Sequence, residues 1–136
     1  MGRSVFAVVA GFLLIGACAF GADALVRAAL PDAFDAAGRT TSVPVLVLSL
    51  AYVGAFAVAG CWLAARLAPW RPMAHAMALG VLGLAFNVAG TIAMWDTAPA
   101  WYHVTALALV LPYAWLGGRL RERQLGARPA SRLRVA

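Results

Sequence analysis

The chain has 136 residues, 64% of them hydrophobic and only 12% charged, with a mean hydropathy of +0.85. That is too little charge to cover a soluble domain, so composition places it in the membrane class. All eleven basic residues are arginine, against five acids, and six of them crowd the last eighteen residues, so the net +6 charge is a terminal run facing anionic headgroups rather than a basic face for nucleic acid.

The first apolar run covers about residues 4–30, more than the ~20 residues a helix needs to cross ~30 Å of hydrocarbon. The stretch Leu14–Cys18, "LIGAC", loosely resembles a lipoprotein cleavage box. The run is longer than a usual signal segment, however, and is expected to be retained as a span. Small residues allow close approach between helices in lipid, so Ala10, Ala17, Gly21 and Ala24 are the expected contact stripe. Asp23 and Arg27 stand four apart near the end of the run and are expected to pair. Residues Pro31–Ser42, "PDAFDAAGRTTS", form the only connection long enough to hold a conformation of its own.

A second run, residues 43–67, has Pro44 in its first turn and offers Ala57, Gly60 and Ala64 for packing. The turn that follows, "ARLAPWRP", is short and doubly basic, with Arg66 and Arg71 placed to reach lipid phosphates or an acidic partner. A third run, residues 72–94, opens on Pro72. Its residues Gly80, Gly83, Asn87, Gly90 and Met94 recur at helical spacing, so they share one face; that face is the expected contact seam. Asn87 is the one strongly polar side chain well inside a run, and burying an unpartnered amide costs about 2–7 kcal/mol, so it should bond across helices.

The segment "MWDTAPAWYH", Met94–His103, separates this run from a fourth, residues 99–118. Trp95, Trp101 and Tyr102 have the placement of an interfacial aromatic belt, and Asp96 is expected to cap the next helix. Gly117 and Gly118 are expected to close that helix. Residues 119–136 then form a basic tail in which Arg119, Arg121 and Arg123 attach to lipid or to a partner.

The expected architecture is all-α: a four-transmembrane-helix bundle over residues 1–118 with antiparallel neighbours, followed by the tail. No series of short alternating strands supports a barrel. Arg3, Arg66, Arg71 and the tail fall on one side of the bilayer. Arg27 and Arg39 fall on the other and are offset by Asp23, Asp32, Asp35 and Asp96, so both termini should be cytoplasmic.

Chemistry is sparse. Cys18 and Cys61 fall in opposite halves of the bilayer, too far apart for a disulfide. His75 and His103 lie at opposite faces, so no metal or cofactor is expected. There is no nucleophile–base pair or phosphate loop. The primary expectation is a non-enzymatic protein that associates with itself or with a larger membrane complex. The alternative is a small dimeric transporter or channel, dimeric because four short helices enclose little space, with Asp23, Tyr52, Asn87, Asp96 and His103 forming a periplasm-facing polar cleft. A membrane enzyme using His103 with an acid is a distant third.

The stretches "GADALVRA", "GCWLAARLAPWRPMAHAMALG" and "WDTAPAWYHVTALALVLPYAWLGGRL" together resemble a recurrent, uncharacterised group of small bacterial four-helix membrane proteins. Members commonly have two glycines where this chain has Gly60 and Cys61. The resemblance covers most of residues 1–120 and implies four spans in a bacterial inner membrane. It implies no activity, substrate or cofactor.

Overall fold

The computed structural model describes residues 2–127. They form four long helices, α1 (Gly2–Ala29), α2 (Val43–Leu67), α3 (Pro72–Ala93) and α4 (Ala100–Gly126), with single 3-10 turns at Pro31–Ala33 and Trp95–Thr97. No strand occurs among the described residues. Arg128, Arg132 and Arg134 of the basic tail lie outside them.

Helix starts follow the prolines. Pro44 and Pro72 occupy the first turns of α2 and α3, where an N–H has no intrahelical partner to lose. Pro99 falls one residue earlier than expected, at the extended position before α4. Arg71 adopts a left-handed conformation (φ 46°), uncommon for a residue with a Cβ, and thereby turns the chain sharply between α2 and α3. The fourth helix does not close at Gly117 and Gly118 but runs on to Gly126. Residues 119–125 are arginine, leucine, glutamate and glutamine, all good helix formers, so the expected tail begins as a continuation of α4.

Helices α1, α2 and α3 are long and apolar enough to cross a membrane. The apolar part of α4 is diluted by Trp101, Tyr102, His103, Tyr113 and Trp115 before its arginines begin, and it is not among them. The outward surface is correspondingly greasy: Phe6, Phe20, Leu25 and Ile92 are 64%, 78%, 72% and 75% exposed.

Close approach is concentrated toward the end that carries the Arg66–Arg71 turn. A Cβ on Gly11 of α1 would stand 2.6 Å from the Gly60 carbonyl oxygen of α2, and one on Gly60 would stand 2.8 Å from that of Gly11. On α4, a Cβ at Gly117 would meet the Val58 carbonyl at 2.6 Å, and one at Gly118 would meet the Met73 sulfur at 2.6 Å. Gly80 of α3 presses on Ala114 of α4. Cys61, Ala64, Ala65, Ala76, Leu79 and Ala114 fill the layer between these crossings. Helices α2 and α3 each touch all three others, and α2 makes the more extensive contact.

Two expected contact faces are corrected. On α1 the buried stripe is Ala7 and Gly11; Ala17, Gly21 and Ala24 point outward. On α3 only the first part of the Gly80–Gly83–Asn87–Gly90 face packs closely. A Cβ at Gly83 would touch only Val110, at 3.8 Å, and one at Gly90 would meet nothing within 4 Å. The helices therefore separate toward the end that carries the Pro31–Ser42 loop. Gly60→Leu and Gly117→Leu should each cost about 1–3 kcal/mol by overpacking, measured by unfolding in mixed micelles. Gly21→Leu, with nothing within 4 Å, should stay within about 0.5 kcal/mol.

Candidate functional site

At the loop end, Tyr52 of α2 donates a hydrogen bond from its hydroxyl to the Asp23 carboxylate of α1 and lies 3.2 Å from the Ser49 hydroxyl. Ser49 and Tyr52 are three apart on one helix and so face the same way. Tyr102 of α4 completes the lining of this small cavity of about 110 Å³. The expected Asp23–Arg27 pair does not form. Arg27 instead reaches the Gly38 carbonyl at 3.3 Å and lies over the Phe34 ring, 4.8 Å from its centre. A cross-helix phenol satisfies Asp23 without calling on the more exposed guanidinium.

The Pro31–Ser42 loop is organised by one carboxylate. Asp35 accepts from the backbone N–H of Ala37 (2.9 Å) and of Arg39 (2.8 Å) and from Arg39 Nε (2.8 Å). Gly38, at φ 74°, supplies the left-handed turn that aims those donors inward. Thr40 is buried, and its N–H bonds the Thr97 carbonyl at 3.1 Å, fastening this loop to the α3–α4 connection. Asp96 does not cap α4, whose preceding residue makes no side-chain cap. Asp96 stands exposed in the Trp95–Thr97 turn and lines an open depression with Asp32, Asp35 and Arg39.

Between the helices, where α3 has parted from its neighbours, lies a chamber of about 540 Å³. This lies within the usual range for small-molecule sites, but it opens on one side, where Phe20, Phe86, Asn87 and Gly90 are exposed. Its walls are apolar, with Phe12 and Phe86 in contact across it at 5.0 Å. Asn87, Thr91, Tyr102, His103 and Tyr113 also line it. Asn87 does not bond across helices; its amide N–H₂ returns to the Gly83 carbonyl of its own helix at 3.2 Å. His103 is buried, stacks on Trp95 with ring centres 5.2 Å apart, and places Nε2 3.1 Å from the Trp95 carbonyl. Met94, Thr97 and Tyr102 line both this chamber and the Asp23 cavity and form the partition between them.

Of the five residues expected to form one cleft, Asp23 and Tyr52 meet, Asn87 and His103 line the adjoining chamber, and Asp96 is apart from both. Tyr102, expected as a belt residue, is instead the shared wall. Sequence alone does not single out Ser49, Thr91 or Tyr113. The spacing of Ser49 from Tyr52 is a usable signal; Thr91 and Tyr113 carry none.

Trp95 and Trp101 remain half exposed in the manner of a belt. At the opposite end, Arg66 lies over Trp62 at 5.2 Å and Arg119 over Trp115 at 5.3 Å, with Glu122 3.8 Å from Arg119. Trp62 donates to Gln124 at 3.0 Å, tying the end of α4 back onto α2. Arg71 and Arg123 are exposed, and Arg121 is half-buried. Cys18 and Cys61 are free thiols, and no cluster of metal-ligating side chains occurs among the described residues.

The chain matches no family model, no curated protein and no solved structure.

Tyr52→Phe should cost about 1–3 kcal/mol by stranding the Asp23 carboxylate. Adding Asp23→Asn to the Tyr52→Phe variant should then cost little further, a coupling readable from the four unfolding curves. The Arg39 donors and the Ala37 N–H hold Asp35 below its ordinary 3.8. A lowered carboxylate pKa stabilises above the unfolded value and loses that contribution as pH falls through the folded one. The loop should therefore stay ordered at pH 4 and loosen only below the lowered pKa, which carboxyl-detected NMR titration of Asp35 will follow.

Proposed function

We propose that this is a non-enzymatic accessory protein of the bacterial inner (cytoplasmic) membrane, an antiparallel four-helix bundle with both termini cytoplasmic. It offers a preformed chamber within the bilayer to a larger membrane complex or to a second copy of itself. The observation that carries this reading is the division of the molecule into a close-packed half around Gly11, Gly60, Gly80 and Gly117 and an open half around Gly83, Asn87 and Gly90. A rigid base with a chamber above it suits binding, and the histidine that lines that chamber, His103, bonds the Trp95 carbonyl rather than a nucleophile.

The fourth crossing is supported by register. Gly54 of α2 faces the Tyr113 ring of α4, and Cys61 faces Gly117, so α4 shares the depth of α2 through its apolar part. Orientation is supported by charge. Arg3, Arg66, Arg71, Arg119, Arg121 and Arg123 gather at one end and can engage anionic headgroups. At the other end Arg39 is paired with Asp35 and Arg27 is folded onto Phe34. The bacterial setting rests on the resemblance described above.

A second reading, a small transporter, is favoured by one observation: the Asp23–Tyr52–Ser49 cluster adjoins the chamber across Tyr102. Against it stands the close-packed half, where Leu79, Ala64 and Ala76 are at most 1% exposed and leave no passage onward.

Fluorescent-protein fusions after residue 127 should be bright, and alkaline phosphatase inserted within residues 31–42 should be active. The reverse pair would sink the orientation. Native mass spectrometry after gentle extraction should show a dimer or a hetero-complex. A strict monomer that conducts solute in proteoliposomes, with flux abolished by Asn87→Leu, would replace this reading with the second.

A further inference from the structure

We propose that the chamber is a binding site for an uncharged, hydroxyl-bearing amphiphile with a hydrocarbon chain, drawn from the outer leaflet. This rests on the four-span reading given above, and four observations carry it.

The first is length. Along α4 the chamber runs from Tyr102 to Tyr113, about 16 Å, and along α3 from Leu79 to Met94, about 22 Å, at 1.5 Å per residue. Those lengths are between half and three-quarters of a ~30 Å hydrocarbon core, enough for an extended acyl chain entering from the loop end. The second is access. Of the lining residues, Phe20 and Phe86 are 78% and 59% exposed, and Asn87 and Gly90 are exposed too, so the chamber opens sideways to the bilayer and a lipid chain can enter it laterally.

The third is charge. No Arg, Lys, Asp or Glu lines the chamber, and the nearest ionisable acid beyond its Tyr102 wall is Asp23. A phosphate or carboxylate head would find no cation there and would face a carboxylate across the partition. The occupant's head is therefore neutral.

The fourth is hydrogen-bonding polarity. His103 Nε2 faces a carbonyl oxygen, which can only accept, so Nε2 carries a proton, and in that tautomer Nδ1 is the ring's acceptor. Nδ1 bonds nothing among the described residues and is not sealed from the space around it. Asn87 spends its N–H₂ on Gly83, leaving its carbonyl oxygen as a second acceptor without a partner. Asn87 sits about 9 Å below the loop end of its helix, at 1.5 Å per residue, where water is scarce and an unsatisfied polar group is costly; His103 lies nearer the mouth, at the level of the Trp95–Trp101 belt. Two acceptors in an apolar chamber call for a ligand that donates, and the neutral donor compatible with a hydrocarbon chain is a hydroxyl.

The test uses the full-length protein in nanodiscs and 1-monooleoylglycerol carrying a diazirine in its chain. Labelling should map to peptides of α3 and α4 that contain residues 79–94 and 102–113. Unlabelled monooleoylglycerol should compete; phosphatidic acid and the dimethyl ether of monooleoylglycerol should not. Gly90→Leu fills open space, since nothing lies within 4 Å of its Cβ position; it should cut labelling at least tenfold without lowering thermal stability. Asn87→Leu should weaken competition about fivefold, the value of one hydrogen bond, while leaving the ether's behaviour unchanged. Equal competition by the ether, or undiminished labelling in Gly90→Leu, overturns the proposal. Reporter fusions report the four-span reading separately, so a correctly oriented protein that takes no label refutes the site alone.

Discussion

The backbone-to-backbone contact of Gly11 with Gly60, repeated by Gly117 against Val58 and Trp62, is the constraint on which the remaining structure depends. Helices already dissolved in hydrocarbon gain nothing further by hiding leucine from leucine. Their association relies on dispersion between atoms brought close, which requires that side chains be absent where the axes cross. Helix α2 supplies Gly54 and Gly60 on different faces and so accepts α4 and α1 together. Everything near those crossings is then small: Cys61, Ala64, Ala65, Ala76 and Ala114. A layer built this way has little freedom to rearrange.

The same device explains why the other half is open. A glycine brings helices together only if a neighbour comes to meet it. Gly80 meets Ala114, Gly83 barely reaches Val110, and Gly90 meets nothing, so α3 diverges progressively from α4 over about three turns. Phe12 and Phe86, touching at 5.0 Å, hold α1 and α3 apart, as a pair of large rings would between any two helices. At the far end the gap is bounded by the Thr40–Thr97 backbone bond and the Trp95–His103 stack. The chamber is therefore framed at both ends.

Much of this was legible in the sequence where the signal was local. Proline positions located the helix starts, and hydropathy located the three runs long and apolar enough to cross a membrane. What depended on register between helices was not legible. Span one carries two stripes of small residues, one through Ala7 and Gly11 and one through Ala17, Gly21 and Ala24, and no property of the run alone says which faces α2. Asp23 has a partner four residues away in sequence, yet bonds Tyr52, twenty-nine residues away. Gly117 and Gly118, followed by arginines, read as a helix stop by the rules for water-exposed ends; at a helix crossing the same residues are contact points. The chamber itself was invisible, because it arises from the angle between helices rather than from any residue's identity. Its polar lining was partly seen, since an amide such as Asn87 within an apolar run is conspicuous.

The asymmetry between the halves also bears on what motion the molecule can support. Opening a route through the close-packed layer would mean separating Gly118 from Met73 and Gly80 from Ala114, and parting Trp62 from Gln124, the bond that fastens α4 to α2 at that end. Those losses fall together, because the contacts share the same few turns of α3 and α4. Changing the size of the chamber demands much less: the loop half of α3 can tilt about the Gly80–Gly83 region, with Gly90 sweeping through space that nothing fills. The physics of the packing thus favours a chamber that breathes on one side over a passage that alternates between two.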